Sequence, residues 1–163
     1  MLGPHGAKGT LCNMYMPPAG NLSRRRVSEE SVRTSVESIL ARVPPTIPFL
    51  LVGDFNARTG SRQSSCDLGL AAPRASVDRV VCPRGVWLLE TCSGLDIVIF
   101  NGVVMEQQTL SPTHTCHRAN GSLVVDYVCG RELSGSFCVS RTTLCSLSDH
   151  SIVISSMPCP LVG

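Results

Sequence analysis

The sequence predicts one α/β domain with mixed sheets spanning residues 1–163, built from about seven strands and two helices. Three observations lead there. A wholly apolar segment, IPFLLVG at 47–53, follows an amphipathic helix that itself follows a short strand, the order of a parallel crossover. The same strand-helix-strand rhythm returns between residues 47 and 101. Eleven prolines and fourteen glycines, scattered without a period, favour short elements joined by turns over a helical bundle.

Taken in order, residues 10–16 (TLCNMYM) read as a strand that stops at Pro17-Pro18. Ser28 caps a helix, Glu29 and Glu30 suit the positive end of its dipole, and Val32, Val36, Ile39 and Val43 form an apolar stripe over residues 29–42. Pro44-Pro45 ends it. Residues 47–53 form a strand covered on both faces, and Gly53 opens a polar loop. Residues 57–83, rich in Ser, Arg, Gly and Pro, are expected to form a long surface loop. Residues 85–93 make a short helix and 96–101 a buried strand. The Asn120-Gly121 turn signal predicts a hairpin across 113–129, with Asp126 inside it, and strands follow at 137–140 and 151–156.

Composition narrows the classes. The chain is 43% hydrophobic and 16% charged with a net charge of +2, an ordinary globular profile that leaves no marked nucleic-acid footprint. No run approaches the roughly 18 apolar residues of a membrane span. Residues 1–12 carry Gly, Pro and His where a signal peptide needs an apolar core, so the expectation is an intracellular, non-secreted protein without a membrane partner. The nine cysteines include no CxxC pair and no zinc-finger spacing, which predicts free thiols in a reducing compartment. His114 and His117 flank Cys116, but strand alternation would put 114 and 116 on one face and 117 on the other, which argues against a shared metal. Of the 14 basic residues only Lys8 is lysine, and Arg24-Arg25-Arg26 could either track a nucleic-acid backbone or sit in a solvated loop.

Polar residues gather where strands end: Asn13 and Tyr15, Asp54 and Asn56, Asp126, and Asp149-His150. Ligand sites of α/β sheets lie at strand ends, and carboxylates converging there need a cation or a shared proton. An oxygen-rich site of this kind suits Mg²⁺ or Mn²⁺.

With those residues in view, the motifs NMYMPP at 13–18, GDFNA at 53–57, SPT at 111–113, NGSLVVDYV at 120–128 and SDH at 148–150 resemble, in order and spacing, the endonuclease/exonuclease/phosphatase superfamily. Within it the chain looks most like the endonuclease domain of LINE-type (non-LTR) retrotransposons, and RASVD at 74–78, PRGVWLLETC at 83–92 and IFNG at 99–102 extend the likeness from Leu11 to Met157. The resemblance implies a partial, DNase I-like two-sheet α/β sandwich with flanking helices, and Mg²⁺- or Mn²⁺-dependent phosphodiester hydrolysis of DNA, in the nucleus if DNA is the substrate. No small-molecule cofactor is implied.

The resemblance also assigns roles. Asp54 would orient or deprotonate the attacking water, Asn56 would hold water or phosphate, and His150 would donate to the phosphate with Asp126 orienting its ring. Tyr15 would support charge on the phosphate, Thr113 would line the phosphate site, and Asp149 would be the metal ligand. Members of the family carry an Asn and a metal-binding Glu upstream of the Tyr motif, which here already stands at residue 15. The implied chain is therefore N-terminally truncated, weak or inactive in cleavage, and liable to self-associate through exposed sheet surface. The alternatives are a catalytically dead module that binds nucleic acid or a protein, and a phosphatase of the same superfamily.

Overall fold

A computed structural model describes residues 9–18, 20–21, 27–64, 74–103, 114–119, 121–131, 138–142 and 148–156. Its elements in chain order are β1 (Thr10–Tyr15), α1 (Glu29–Leu40), β2 (Phe49–Asp54), α2 (Pro83–Gly94), β3 (Val98–Ile99), β4 (Cys116–Arg118), β5 (Gly121–Leu123), β6 (Asp126–Arg131), β7 (Cys138–Thr142) and β8 (Ile152–Ser156). The expected α/β class with mixed sheets is present. A four-stranded sheet runs β1-β2-β6-β3, and β4-β5 and β7-β8 form two-stranded sheets.

β1 and β2 are parallel, as the crossover through α1 requires, while β6 lies antiparallel to both β2 and β3. β2 and β3 are thus parallel but not neighbours, because β6 enters between them. Met14 and Gly53 are register partners, and a Cβ on Gly53 would lie 1.8 Å from the Met14 carbonyl oxygen. With φ at +141°, that position takes glycine on two counts.

Each helix is capped as its sequence allows. Ser28 Oγ accepts from the Ser31 amide at 3.0 Å, with Glu29 and Glu30 in the first turn of α1. At α2 the capping atom is the Cys82 sulfur, which accepts from the amides of Gly85 and Arg58, and Pro83 occupies the first turn. Glu37 accepts from the Trp87 indole at 2.6 Å and Glu29 from Arg84 at 3.1 Å, tying α1 to α2.

Strand alternation sends Phe49 and Leu51 to the helix side of β2, where they join Met16, Leu40, Trp87 and Leu88 in the main core. Leu50 faces the other way and packs with Val98, Phe100 and Val128. β2 is buried on both faces from Phe49 to Leu51, as its apolar run implies, and only partly buried from Val52 to Asp54. The edge of β3 is also covered: the Gln63 side chain donates to the Ile99 carbonyl and accepts from the Ile99 amide, mimicking another strand.

Three expectations need correction. The hairpin closes at Cys116–Arg118 with Gly121–Leu123, and Asp126 lies outside it as the first residue of β6, because Val124 and Val125 cross from the small sheet to the large one. Of the residues 57–83 only Pro83, the first of α2, is helical among those described, and the rest form no extended strand, yet they are no mere surface loop, since Ala57, Thr59, Ser64, Arg74 and Asp78 are buried. The rings of His114 and His117 lie 6.4 Å apart, because β4 begins only at Cys116 and alternation does not reach back to 114. Cys12, Cys82, Cys92, Cys116 and Cys129 are free thiols. Among the described residues no helix is long and apolar enough to cross a membrane.

Candidate active site

The register of three strands sets up the site. Tyr15 pairs with Asp54 across β1-β2, and Asp54 pairs with Asp126 across β2-β6. Directly paired residues point to the same face, so Tyr15, Asp54 and Asp126 form a row across the sheet. Leu11, Asn13, Leu50, Val52 and Val128, on the same face, line an open cavity of about 620 Å³ together with Asp126 and Ser151. The row stands at its polar end.

Two aspartates directly opposite each other repel, so this pairing needs compensation. Asn56 supplies part of it: its amide donates to Asp54 Oδ1 at 2.8 Å, and its Nδ2 donates to Asp54 Oδ2 and to the Met16 carbonyl, each at 2.9 Å. The turn that permits this puts Asn56 at φ 45°, a left-handed conformation that asparagine tolerates better than most residues. His150 supplies the rest. Its Nδ1 lies 3.1 and 3.2 Å from the two Asp126 oxygens, and its Nε2 lies 4.0 Å from Asp54 Oδ2. An ionised carboxylate only accepts, so Nδ1 carries the proton in this pair. Burial raises the Asp54 carboxyl above its ordinary pKa, against the Asn56 amide bond, and the Asp126 charge adds to the rise.

His150 comes from a segment held by backbone bonds to β4 and its flank. Asp149 O accepts from the His117 amide at 2.6 Å, and the Ser151 amide donates to Thr115 O at 2.8 Å. Asp126 is fixed by two residues outside the expected set. Buried Thr115 accepts through Oγ1 from the amides of Val125 and Asp126, both at 3.1 Å. Asn101 donates to the Asp126 carbonyl and accepts from the Val128 amide, continuing the β3 pairing by side chain. Below the Asp54 loop, the Tyr127 hydroxyl donates to the Val124 carbonyl and accepts from Thr59, and burial pushes its pKa up to about 12.

The structure therefore brings Asp54, Asn56, Asp126 and His150 together, with Tyr15 beside them, 64% exposed. Asp149 is adjacent but turned aside: its carboxylate lies 4.0 Å from both Arg118 Nε and Cys116 Sγ. Thr113 and Arg24-Arg25-Arg26 lie outside the described residues. Thr115, Asn101 and Cys116 carry no local signal in the sequence, since each acts on partners remote along the chain.

Two groups could hold a metal ion, Asp54 with Asp126 and His150, and Cys116 with Asp149 and His150, the ligand atoms of each lying within 4.8 Å of one another. The first is rich in oxygen and fits a hard cation. The second adds a thiol. No family model matches the chain, and no curated protein matches it.

Proposed function

We propose that this chain is a DNase I-like, divalent-metal-dependent phosphodiesterase domain acting on DNA, akin to LINE-type retrotransposon endonucleases, with weak cleavage by these residues alone. The observation that carries the reading is the convergence of Asp54, Asn56, Asp126 and His150, drawn from three separate stretches of sequence, on one end of β2 and β6.

In-line hydrolysis needs an oriented water, a proton acceptor, and donors for the charge that develops on phosphate. Asp54, raised by burial, is a better base than a free aspartate, and Asn56 fixes its orientation. His150, its Nδ1 proton held by Asp126, directs Nε2 toward Asp54, from where it would donate to a bound phosphate. Tyr15 presents an exposed hydroxyl at the end of the same row. Asp126, in the group with Asp54 and His150, and Asp149, in the neighbouring group, are the oxygens from which a hard ion such as Mg²⁺ or Mn²⁺ would be held, and it would supply charge neutralisation on phosphate. Asp126 is already committed to His150, and Asp149 is exposed beside Arg118, so an ion would be held loosely. Slow hydrolysis follows.

The test is nicking of supercoiled plasmid in Mg²⁺ or Mn²⁺ over long incubation. Slow, metal-dependent nicking is expected, reduced by ~10²-fold or more in Asp54→Ala and in His150→Ala. Nicking that is metal-independent, or unchanged in both variants, would overturn the assignment.

A further inference from the structure

The contact between Cys116 and Asp149 is unaccounted for by the proposed hydrolysis. Cys116 is fully buried on β4, and its sulfur lies 4.0 Å from Asp149 Oδ2, with His150 within ligand reach. The three donors sit on two antiparallel neighbouring segments. Cys116 and His150 form a β-bridge, and the bonds His117 N to Asp149 O and Ser151 N to Thr115 O clamp it on either side. Donor positions are thus fixed by backbone rather than by loose side chains.

We propose that Cys116, Asp149 and His150 form a second cation site, selective for a borderline-soft divalent ion of the zinc class over Mg²⁺. A thiolate, an imidazole and a carboxylate are the donor types such an ion takes, whereas Mg²⁺ selects oxygen. Donors around a tetrahedral ion of this kind lie roughly 3.5 Å apart, so groups already within 4.8 Å need only small side-chain rotations. The site has a way in, because Asp149 is exposed and His150 half-buried above the buried sulfur. Cys116 and Asp149 are weakly held, since a thiol-carboxylate contact at 4.0 Å is a poor hydrogen bond and the half-exposed Arg118–Asp149 pair at 4.0 Å contributes little, while His150 is held more firmly by its Nδ1 contact with Asp126 at 3.1 Å. On binding, the sulfur-metal bond forms as the Cys116 S–H proton passes to solvent, with no change of oxidation state. The regulatory consequence rests on the proposed hydrolysis: His150 belongs to both groups of donors, so filling this site withdraws it from the Asp54-Asp126 constellation.

Cobalt(II) titration of the reduced, full-length chain tests it, read by the thiolate-to-cobalt charge-transfer absorption. The expected result is a band that saturates at one ion per chain. Asp149→Asn, at an exposed position, should weaken binding by ~10-fold or more, the order lost when even an outer partner of a ligand is removed. Cys116→Ser should abolish the band, and if that variant fails to fold, Asp149→Asn decides. Absence of a saturable band, or a band indifferent to Asp149→Asn, would reject the site. The spectrum does not depend on hydrolysis, so a chain that binds cobalt without nicking DNA rejects only the nuclease reading, and one that nicks without the band rejects only this site.

Discussion

Thr115 shows how much of the site depends on one hydroxyl. Its Oγ1 accepts from two consecutive amides, Val125 and Asp126, at the point where the chain enters β6, while its own carbonyl holds the Ser151 amide next to His150. Both halves of the Asp126–His150 pair are therefore anchored to the same residue. Thr115→Val keeps the shape and removes the acceptor, leaving two amides to pay about 1–3 kcal/mol each for lost bonding. Chemical denaturation should show Thr115→Val destabilised on that scale and Thr115→Ser close to the parent. Equal loss in both variants would mean that the methyl group, not the hydroxyl, is what matters.

Among the elements, the β1-β2 pairing bears most directly on the site, since it delivers Tyr15 beside Asp54. Its closeness depends on Gly53, where a side chain would meet the Met14 carbonyl. Gly53→Ala carries strain of ~1–3 kcal/mol from the backbone angle alone, and the 1.8 Å clash adds to it by forcing the strands apart. A lower melting temperature is expected together with loss of any Asp54-dependent activity, and an unchanged melting curve would show that the strands adjust freely. Arg131 does comparable work at the other end of β6, donating to the carbonyls of Val43, Pro44 and Leu95 just beyond the ends of α1 and α2.

At the scale of the whole molecule, the connection between β2 and α2 is held by buried charge. Arg74 donates to Thr59 Oγ1 and to the carbonyls of Gly60, Arg62 and Asn101, and its guanidinium stacks over Tyr127. Asp78 accepts from Arg58 and from the amides of Val80 and Val124. Burial drives the Asp78 carboxyl up, but the Arg58 bond and the two amides together bring it below its ordinary pKa. A carboxylate lowered in the folded state contributes stability above its unfolded pKa and loses it as pH falls through the folded one. Asp78→Asn should cost about 1.5–3 kcal/mol near neutral pH, since the Arg58 left behind is 29% exposed, and flatten the acid limb of stability between about pH 4 and lower values. An acid limb unchanged from the parent would assign that limb to other groups. The opposite sheet face makes a different demand: Leu11 is 56% exposed on β1 at the rim of the open apolar cavity. Self-association through this edge is expected in sedimentation velocity, and Leu11→Lys should reduce it; a monomer at all concentrations would show the face to be tolerated in water.

The sequence by itself determined the elements whose signals are local. The Ser28 cap and the continuous apolar run of β2 each follow from neighbours within a few residues, and α1, β2 and α2 fall close to their expected bounds, although Ile39 of the expected α1 stripe is exposed and Leu40 is buried instead. It also singled out Asp54, Asn56, Asp126 and His150 as polar residues where strands end. Only the tertiary structure decided how they meet. The insertion of β6 between β2 and β3 places Asp126 directly opposite Asp54, and the bridge from Cys116 to His150 brings a buried thiol beside Asp149. The burial of Arg74 and Asp78 was hidden for the same reason: a polar stretch reads as solvated until the carbonyls and cations that satisfy it arrive from elsewhere in the chain. Strand order and long-range polar pairing are properties of contacts between distant residues, and no local periodicity encodes them.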